Sequence, residues 1–299
     1  MSQESGTLYL CATPIGNLED MTLRAIRILK EVDAIAAEDT RQTRKLTSHF
    51  GLPARLLSYH EHNRHEKGPE IIALLKEGKS VALVSDAGLP GISDPGEDLV
   101  RLAVQEGLPV VAIPGASASL TALVISGLPT SRFAFEGFLP RAKRERKARL
   151  RELATDSRTL IFYEAPHRLR AALADLEEIL GPRPAAACRE LTKKFEEVIR
   201  APLPVLRSHF ERQEPRGEFT LIVSGATAEK AAWANSSAAE RDEVEGSGRE
   251  DSVPLAESIR RRVEQLSTAG RDRKEAMKDV AREFGLSKRD IYRIMLGKD

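Results

Sequence analysis

The feature that most limits how this chain can fold is a repeated unit. A short apolar segment runs into a turn of glycine, proline or small polar residues, and a stretch with helical spacing comes next. Thr7 to Thr13 (TLYLCAT) is the first such segment, broken by Pro14-Ile15-Gly16-Asn17. Leu18 to Lys30 then carries Leu23, Ile26 and Leu29 at helical spacing, with Asp20 or Thr22 available as a cap. Ala34 to Ala37 ends in Glu38-Asp39-Thr40-Arg41. The rhythm continues with a helix near Pro69 to Lys76, a strand at Ser80 to Val84, a helix at Asp98 to Glu106, a strand at Pro109 to Ile113 and a helix at Ser117 to Ser126. Strands alternating with helices predict an α/β unit with a largely parallel sheet.

A second α/β unit comes after it. Thr159 to Tyr163 and Ala185 to Cys188 read as strands around a helix at Arg168 to Leu180, and Glu196 to Ala201 and Glu218 to Val223 complete the set. The chain therefore divides into an N-terminal α/β domain at 1–117, a second at 118–225, an acidic flexible linker at 226–253 and a helical module at 254–299. In that module Arg273 to Phe284 is amphipathic, Gly285 can close it, and Ser287-Lys288-Arg289-Asp290 opens a second helix: a helix-turn-helix pattern with Lys288 and Arg289 facing out.

A formal net charge of +1 conceals strong local patterning. Arg141 to Arg151 (RAKRERKARLR) holds seven basic residues and one acidic, a net of +6. The segment 254–299 has twelve basic and eight acidic residues, a net of +4, whereas 229–251 has three and seven, a net of −4. Two basic zones flanking an acidic one suggest a polyanionic partner; the plainer reading is a solvated helix face. No apolar run approaches the ~20 residues that cross a bilayer, and the N-terminus lacks the basic start of a signal peptide. Cys11 and Cys188, the two cysteines, sit in apolar surroundings and read as reduced thiols of a cytoplasmic protein.

Ligands of open α/β sheets sit outside the carboxyl ends of the strands. Here those ends are TPIGN at 13–17, AEDTR at 37–41, SDAGLPG at 85–91 and PGASA at 114–118. Leu83 to Gly96 (LVSDAGLPGISDPG) packs three glycines, two prolines and two aspartates into fourteen residues. Glycine lets backbone approach a ligand and proline fixes the loop beforehand, so the turns predict a pocket. Neither GxGxxG nor GxxxxGK[ST] occurs, and Asp86 and Asp94 would repel phosphate. An uncharged or cationic ligand fits better, such as a sulfonium with an amino-acid end.

The segments ATPIGNLEDMTLRAIRILKEVDAIAAEDTRQTRKLT, VSDAGLPGISDPG, IPGASASLTALVISGLP and FYEAPHR occur in this order. Together they resemble the ribosomal RNA small subunit methyltransferase I family, of the tetrapyrrole-methylase-like class. The resemblance spans roughly 7–225. It implies two α/β domains with S-adenosylmethionine in the cleft between them, a homodimer, and 2′-O-methylation of a cytidine ribose in small-subunit (16S) ribosomal RNA. It also implies cofactor contacts from Pro14 and Ile15 in the first loop, and from Asp86, Ala87 and Gly88 near the methionine part. Ser117 and Ala118 fall near its carboxylate, and Tyr163, Leu191 and Thr220 around the adenosine. The wider class carries a GxGPG-like first loop where this chain has Thr13-Pro14-Ile15-Gly16.

A ribose hydroxyl is a poor nucleophile, so a carboxylate should help remove its proton; Glu164 and Asp39, each at a strand end, are the candidates. The alternative for Glu164 is a pairing with His167 or Arg168. Arg41 and Arg44, with Lys45, the run at Arg144, Arg146 and Lys147, and Lys288 and Arg289 are the expected RNA contacts. His60-Glu61-His62-Asn63-Arg64 lacks the second histidine of HExxH, so no metal is expected. Two rival readings remain: a methyltransferase of this class acting on a tetrapyrrole or other small molecule, and a ligand-sensing DNA regulator.

Overall fold

The computed structural model describes residues 5–53, 55–226, 255–268, 271–283 and 288–295. Five strands, β1 (Leu8–Cys11), β2 (Ala34–Ala37), β3 (Arg55–Ser58), β4 (Val81–Val84) and β5 (Val110–Ile113), form an all-parallel sheet in the order β3-β2-β4-β1-β5. β1 lies between β4 and β5, with Leu8 opposite both Val81 and Val110. All five carboxyl ends therefore open on one edge. Helices α1 (Leu23–Glu31) and α2 (Thr40–His49) cover one face, where Ala25, Ile28, Leu29 and Leu46 pack on Cys11, Ile35 and Ile113. Helices α3 (Arg64–Lys76) and α4 (Gly96–Gln105) cover the other, with Ile71, Leu75 and Leu99 on Leu8, Ala36 and Val81. Burial on both faces explains why these strands are nearly continuous apolar runs.

The helix expected from Leu18 begins later. Residues Leu18–Asp20 make a 3-10 turn, and α1 starts after Thr22, whose hydroxyl accepts the Ala25 N–H at 3.1 Å. The sequence reading passed over α2 and β3. It also missed β6 (Phe133–Phe138) and α8 (Leu203–Arg212) in the second unit.

That second unit is a mixed sheet ordered β6-β7-β10-β8-β9, with β7 (Thr159–Glu164), β8 (Pro184–Arg189), β9 (Glu197–Pro202) and β10 (Phe219–Val223). Only β6 and β7 run parallel; the other neighbours are antiparallel. α6 (Lys143–Glu152), α7 (Pro166–Leu180) and α8 cover one face with Leu150, Leu173, Leu176 and Phe210. α5 (Ala118–Ser126) covers the other, where Ala122 and Leu123 meet Ile161, Ala186, Cys188 and Ile222.

Three further helices, α9 (Leu255–Thr268), α10 (Arg273–Glu283) and α11 (Lys288–Met295), share a small core of Ile259, Val263, Ala276, Val280 and Ile291. The acidic stretch expected as a linker lies outside the described residues except for Ala226, as do Gly285 and the side chains of Lys288 and Arg289. Among the described residues no helix is long and apolar enough to cross a membrane.

Candidate active site

The loops after β1 and β4 are joined by the chain's own hydrogen bonds. Thr13 and Gly88 exchange backbone hydrogen bonds, N–H to O, at 2.9 and 3.1 Å, and the Thr13 hydroxyl donates to the Ser85 carbonyl at 3.2 Å. Farther along, the Asp94 carboxylate accepts the Gly91 N–H at 2.9 Å and the Gly96 N–H at 2.8 Å. Gly88 and Gly91 hold φ of +83° and +88°, which other residues rarely adopt. A Cβ on Gly96 would lie 2.8 Å from the Gly91 nitrogen. The glycines and prolines thus form a closed, preset loop rather than a slack one.

Between this loop and the second sheet lies a cleft of about 660 Å³. Ile15, Asp86, Ala87, Gly88, Ser117, Ala118, Tyr163, Leu191 and Thr220 all line it. Pro14 instead lines a smaller hollow of about 310 Å³ with Gly16, Gln42, Lys45 and the other side of Asp86. Ser117 caps α5 with its hydroxyl toward the Leu120 N–H at 3.5 Å, which places a helix N-terminus at the cleft wall. The three described non-glycine residues with positive φ, Ser93, Glu190 and Thr192, all belong to loops at this cleft. Such conformations persist only where the surroundings over-determine them.

The charge in the cleft is mainly negative. Glu38, Asp86, Asp94, Glu164, Glu190 and Glu218 line it against Lys193, which is held at 2.9 Å by both Glu190 and Glu218. Burial, then the neighbouring Asp86 and Asp94, pushes the Glu38 carboxyl up.

The two candidate bases differ. Glu164 is 2% exposed and lines the cleft; its Oε1 accepts the Ala165 N–H at 3.0 Å and lies 3.5 Å from Arg168 Nε. Its Oε2 is buried with no hydrogen-bond partner, and burial raises its pKa. Asp39 does not line the cleft. Its carboxylate caps α2 through the Arg41 N–H at 2.8 Å and binds the Arg41 guanidinium at 2.8 Å, which lowers its pKa to about 2. The expectation for Asp39 as a base is therefore corrected: it is a saturated helix cap, and its neighbour Glu38 is the acid that faces the cleft.

Residues 7–206 match the family model of the Tetrapyrrole (Corrin/Porphyrin) Methylases. A protein of Halalkalibacterium halodurans named ribosomal RNA small subunit methyltransferase I is 51% identical over 292 residues, covering 97% of this chain and 95% of the relative. The chain belongs to the ribosomal RNA small subunit methyltransferase I family. A Bacillus subtilis protein of the same name is 47% identical over 289 residues, covering 97% of this chain and 94% of its own. The family's fold extends to more distant solved structures. Uroporphyrin-III C-methyl transferase from Thermus thermophilus, complexed with S-adenyl homocysteine, superposes with a TM-score of 0.52 at 22% identity, over 73% of this chain and 97% of that one. A diphthine synthase gives 0.56 at 16%, over 78% and 95%. At these identities what is shared is the two-domain α/β fold expected from the sequence.

Within this ribosomal RNA methyltransferase chain the basic run is not uniform. Arg146 is 7% exposed, and its Nη2 binds Asp175 Oδ2 of α7 at 2.6 Å. The expectation of an RNA contact there is corrected: the buried guanidinium is spent on the Asp175 carboxylate, and Arg146 staples α6 to α7. Lys147 is held by Glu178 at 2.6 Å, and Arg41 by Asp39. Arg44 and Arg144 are exposed, and among the described residues neither makes an ion pair. Cleft residues the sequence reading did not single out include Glu38, Ile92, Phe138, Glu190 and Lys193. Glu38 was legible, since it neighbours Asp39 at a strand end; the others carry no local signal.

Proposed function

We propose that this methyltransferase transfers a methyl group from S-adenosylmethionine to the ribose 2′-hydroxyl of a cytidine in small-subunit ribosomal RNA. One observation carries the reading: the buried, unpartnered Glu164 Oε2 at the wall of an acidic cleft. The residues present fit the cofactor. Asp86 and its acidic neighbours suit a sulfonium and an α-ammonium, the α5 N-terminus with Ser117 suits a carboxylate, and Ile15, Leu191 and Tyr163 offer apolar surface. When bound, S-adenosylmethionine supplies an electrophilic methyl on positively charged sulfur.

The protein's part is to place the hydroxyl and take its proton. Glu164 is held through Oε1 by the Ala165 N–H, and its carboxylate would accept the hydroxyl proton as the ribose oxygen gains the methyl and the methyl–sulfur bond breaks to leave a neutral thioether. A carboxyl raised above its ordinary range is a stronger base than Asp39, and alignment in the cleft adds its own acceleration. On the same reading the chain acts as a cytoplasmic homodimer, and its C-terminal helices hold RNA. The relatives' names and the exposed cations of α6 favour RNA over a tetrapyrrole.

Small ribosomal subunits incubated with tritiated cofactor, then digested with alkali, test the atom. A 2′-O-methyl group blocks cleavage at its own linkage, so the label should run in a dinucleotide. Label in mononucleotides would mean base methylation and would end the ribose assignment.

A further inference from the structure

Phe138 ends β6 with 54% of its surface exposed, and Ile92, in the loop after β4, is 44% exposed; both line the cleft. Phe138 reaches the cleft through an irregularity. In a regular strand, residues three apart point to opposite faces. Phe135 and Phe138 nevertheless both meet the Tyr163 ring, with centroids 5.0 and 5.7 Å away. The register of β6 on β7 slips between Phe135 and Gly137, and Gly137 has φ of +63°. This bulge turns Phe138 out of the α6 side, where Ala134 and Leu139 join the core, and onto the cleft side. The same glycine brings the two rims together, since a Cβ there would lie 3.2 Å from Ser93 Oγ.

Cations come directly after it. Arg141, Lys143 and Arg144 are exposed, and among the described residues none lies in an ion pair, unlike Arg146 and Lys147 on the same helix. Phe138 pairs in register with Tyr163, next to Glu164. An exposed aromatic ring, a neighbouring carboxylate and unpaired cations thus occur in sequence along one edge.

We propose that Phe138 is the stacking platform for the base of the target nucleotide, with Ile92 beside it and Arg141, Lys143 and Arg144 on the adjoining phosphates. The inference rests on the ribose-methylation reading and names the RNA subsite of the same cleft. Single-stranded RNA is held in this way, by aromatic faces under splayed bases and cations along the backbone. A base drawn onto Phe138 carries its own ribose toward Glu164, so the platform would set which hydroxyl is presented.

The competing occupant is the cofactor's adenine, and the test separates the two. In the full chain, Phe138→Ala, Phe138→Leu and Phe138→Tyr are compared for S-adenosylmethionine affinity by calorimetry and for steady-state methylation of small ribosomal subunits. The proposal expects cofactor Kd within about twofold of wild type in all three, which also reports an intact cleft. It expects KM for subunits to rise about 10- to 100-fold in the Ala and Leu variants and to stay near wild type in the Tyr variant. Weakened cofactor binding with unchanged subunit KM would assign the ring to adenine and overturn the proposal. A Leu variant equal to wild type would reduce Phe138 to apolar packing and overturn it as well. Wild-type label at a base instead of a ribose would sink the ribose reading alone, because the Phe138 contrast is still read in the same assay.

Discussion

The ends of β2 and β7 present the same sequence motif, an apolar strand that stops at a carboxylate, and the structure gives them opposite characters. At β2 the last acid, Asp39, turns outward, caps α2 and is neutralised by Arg41 two residues on. At β7, Glu164 is buried, its ion-pair partner Arg168 stands 3.5 Å away, and Oε2 has no hydrogen-bond partner. The difference lies in the residues just beyond each strand. After Asp39 comes a helix whose first N–H groups need an acceptor, so the carboxylate is consumed by local structure. After Glu164, Pro166 opens α7 with one orphan donor fewer, and Ala165 takes the cap position. Glu164 is therefore left available to the cleft.

The most direct way to break this contrast is to neutralise both acids. Glu164→Gln should lower single-turnover methylation by about 10²- to 10⁴-fold with cofactor affinity retained, whereas Asp39→Asn should stay within about threefold. Equal losses would abolish the distinction between them. Along α6 the same contrast between engaged and free charge should appear as stability. Arg146→Ala leaves the buried Asp175 carboxylate with only Lys147, 3.8 Å away, and should cost about 3 kcal/mol in denaturant unfolding. Arg144→Ala should change stability by less than about 0.5 kcal/mol, yet reduce the log–log salt slope of RNA binding by about one.

Smaller effects sharpen the picture through pH. Burial holds the Glu164 carboxyl above its ordinary value of 4.5, so the folded chain binds that proton more tightly than the unfolded chain. The associated stability is complete below the unfolded value and is lost as pH rises through the folded one. The Tm of Glu164→Gln relative to wild type should therefore climb as pH rises above about 4.5, and the acid limb of the wild-type rate should vanish in the variant. Asp39 runs the other way: Arg41 lowers it from 3.8 to about 2, so its contribution holds above 3.8 and fades as pH falls through about 2. Asp39→Ala should shift Tm slightly at neutral pH and not at all below that range.

The parallel sheet was legible because each of its apolar runs ends in a breaker, and the turns at 13–17, 85–91 and 114–118 do meet at one edge. α2 was not, because TRQTRKLTSH offers one large apolar side chain, Leu46, in ten residues. β6 was missed because FAFEGF alternates only as far as Phe135 before the bulge shifts its parity. Arg146 and Arg144 are indistinguishable in the string RAKRER. What separates them is Asp175, twenty-nine residues away on another helix. Asp39 and Glu164 diverged for a related reason: sequence places a carboxylate at a strand end, and only the packing beyond it decides which of its oxygens stays free.

Cys188 also lines the cleft, 1% exposed, and burial pushes its thiol up to about 12. Sulfur anions attack alkylating agents far more readily than alcohols do, so a thiolate here would intercept a methyl donor before any hydroxyl arrived. Burial keeps the thiol protonated at neutral pH, with Sγ 4.0 Å from the Ala122 carbonyl oxygen of α5. The apolar seam that α5 lays across the sheet thus has a chemoselective consequence. It disfavours the thiolate of the soft nucleophile at the cleft wall, which would guard the chain against alkylating itself.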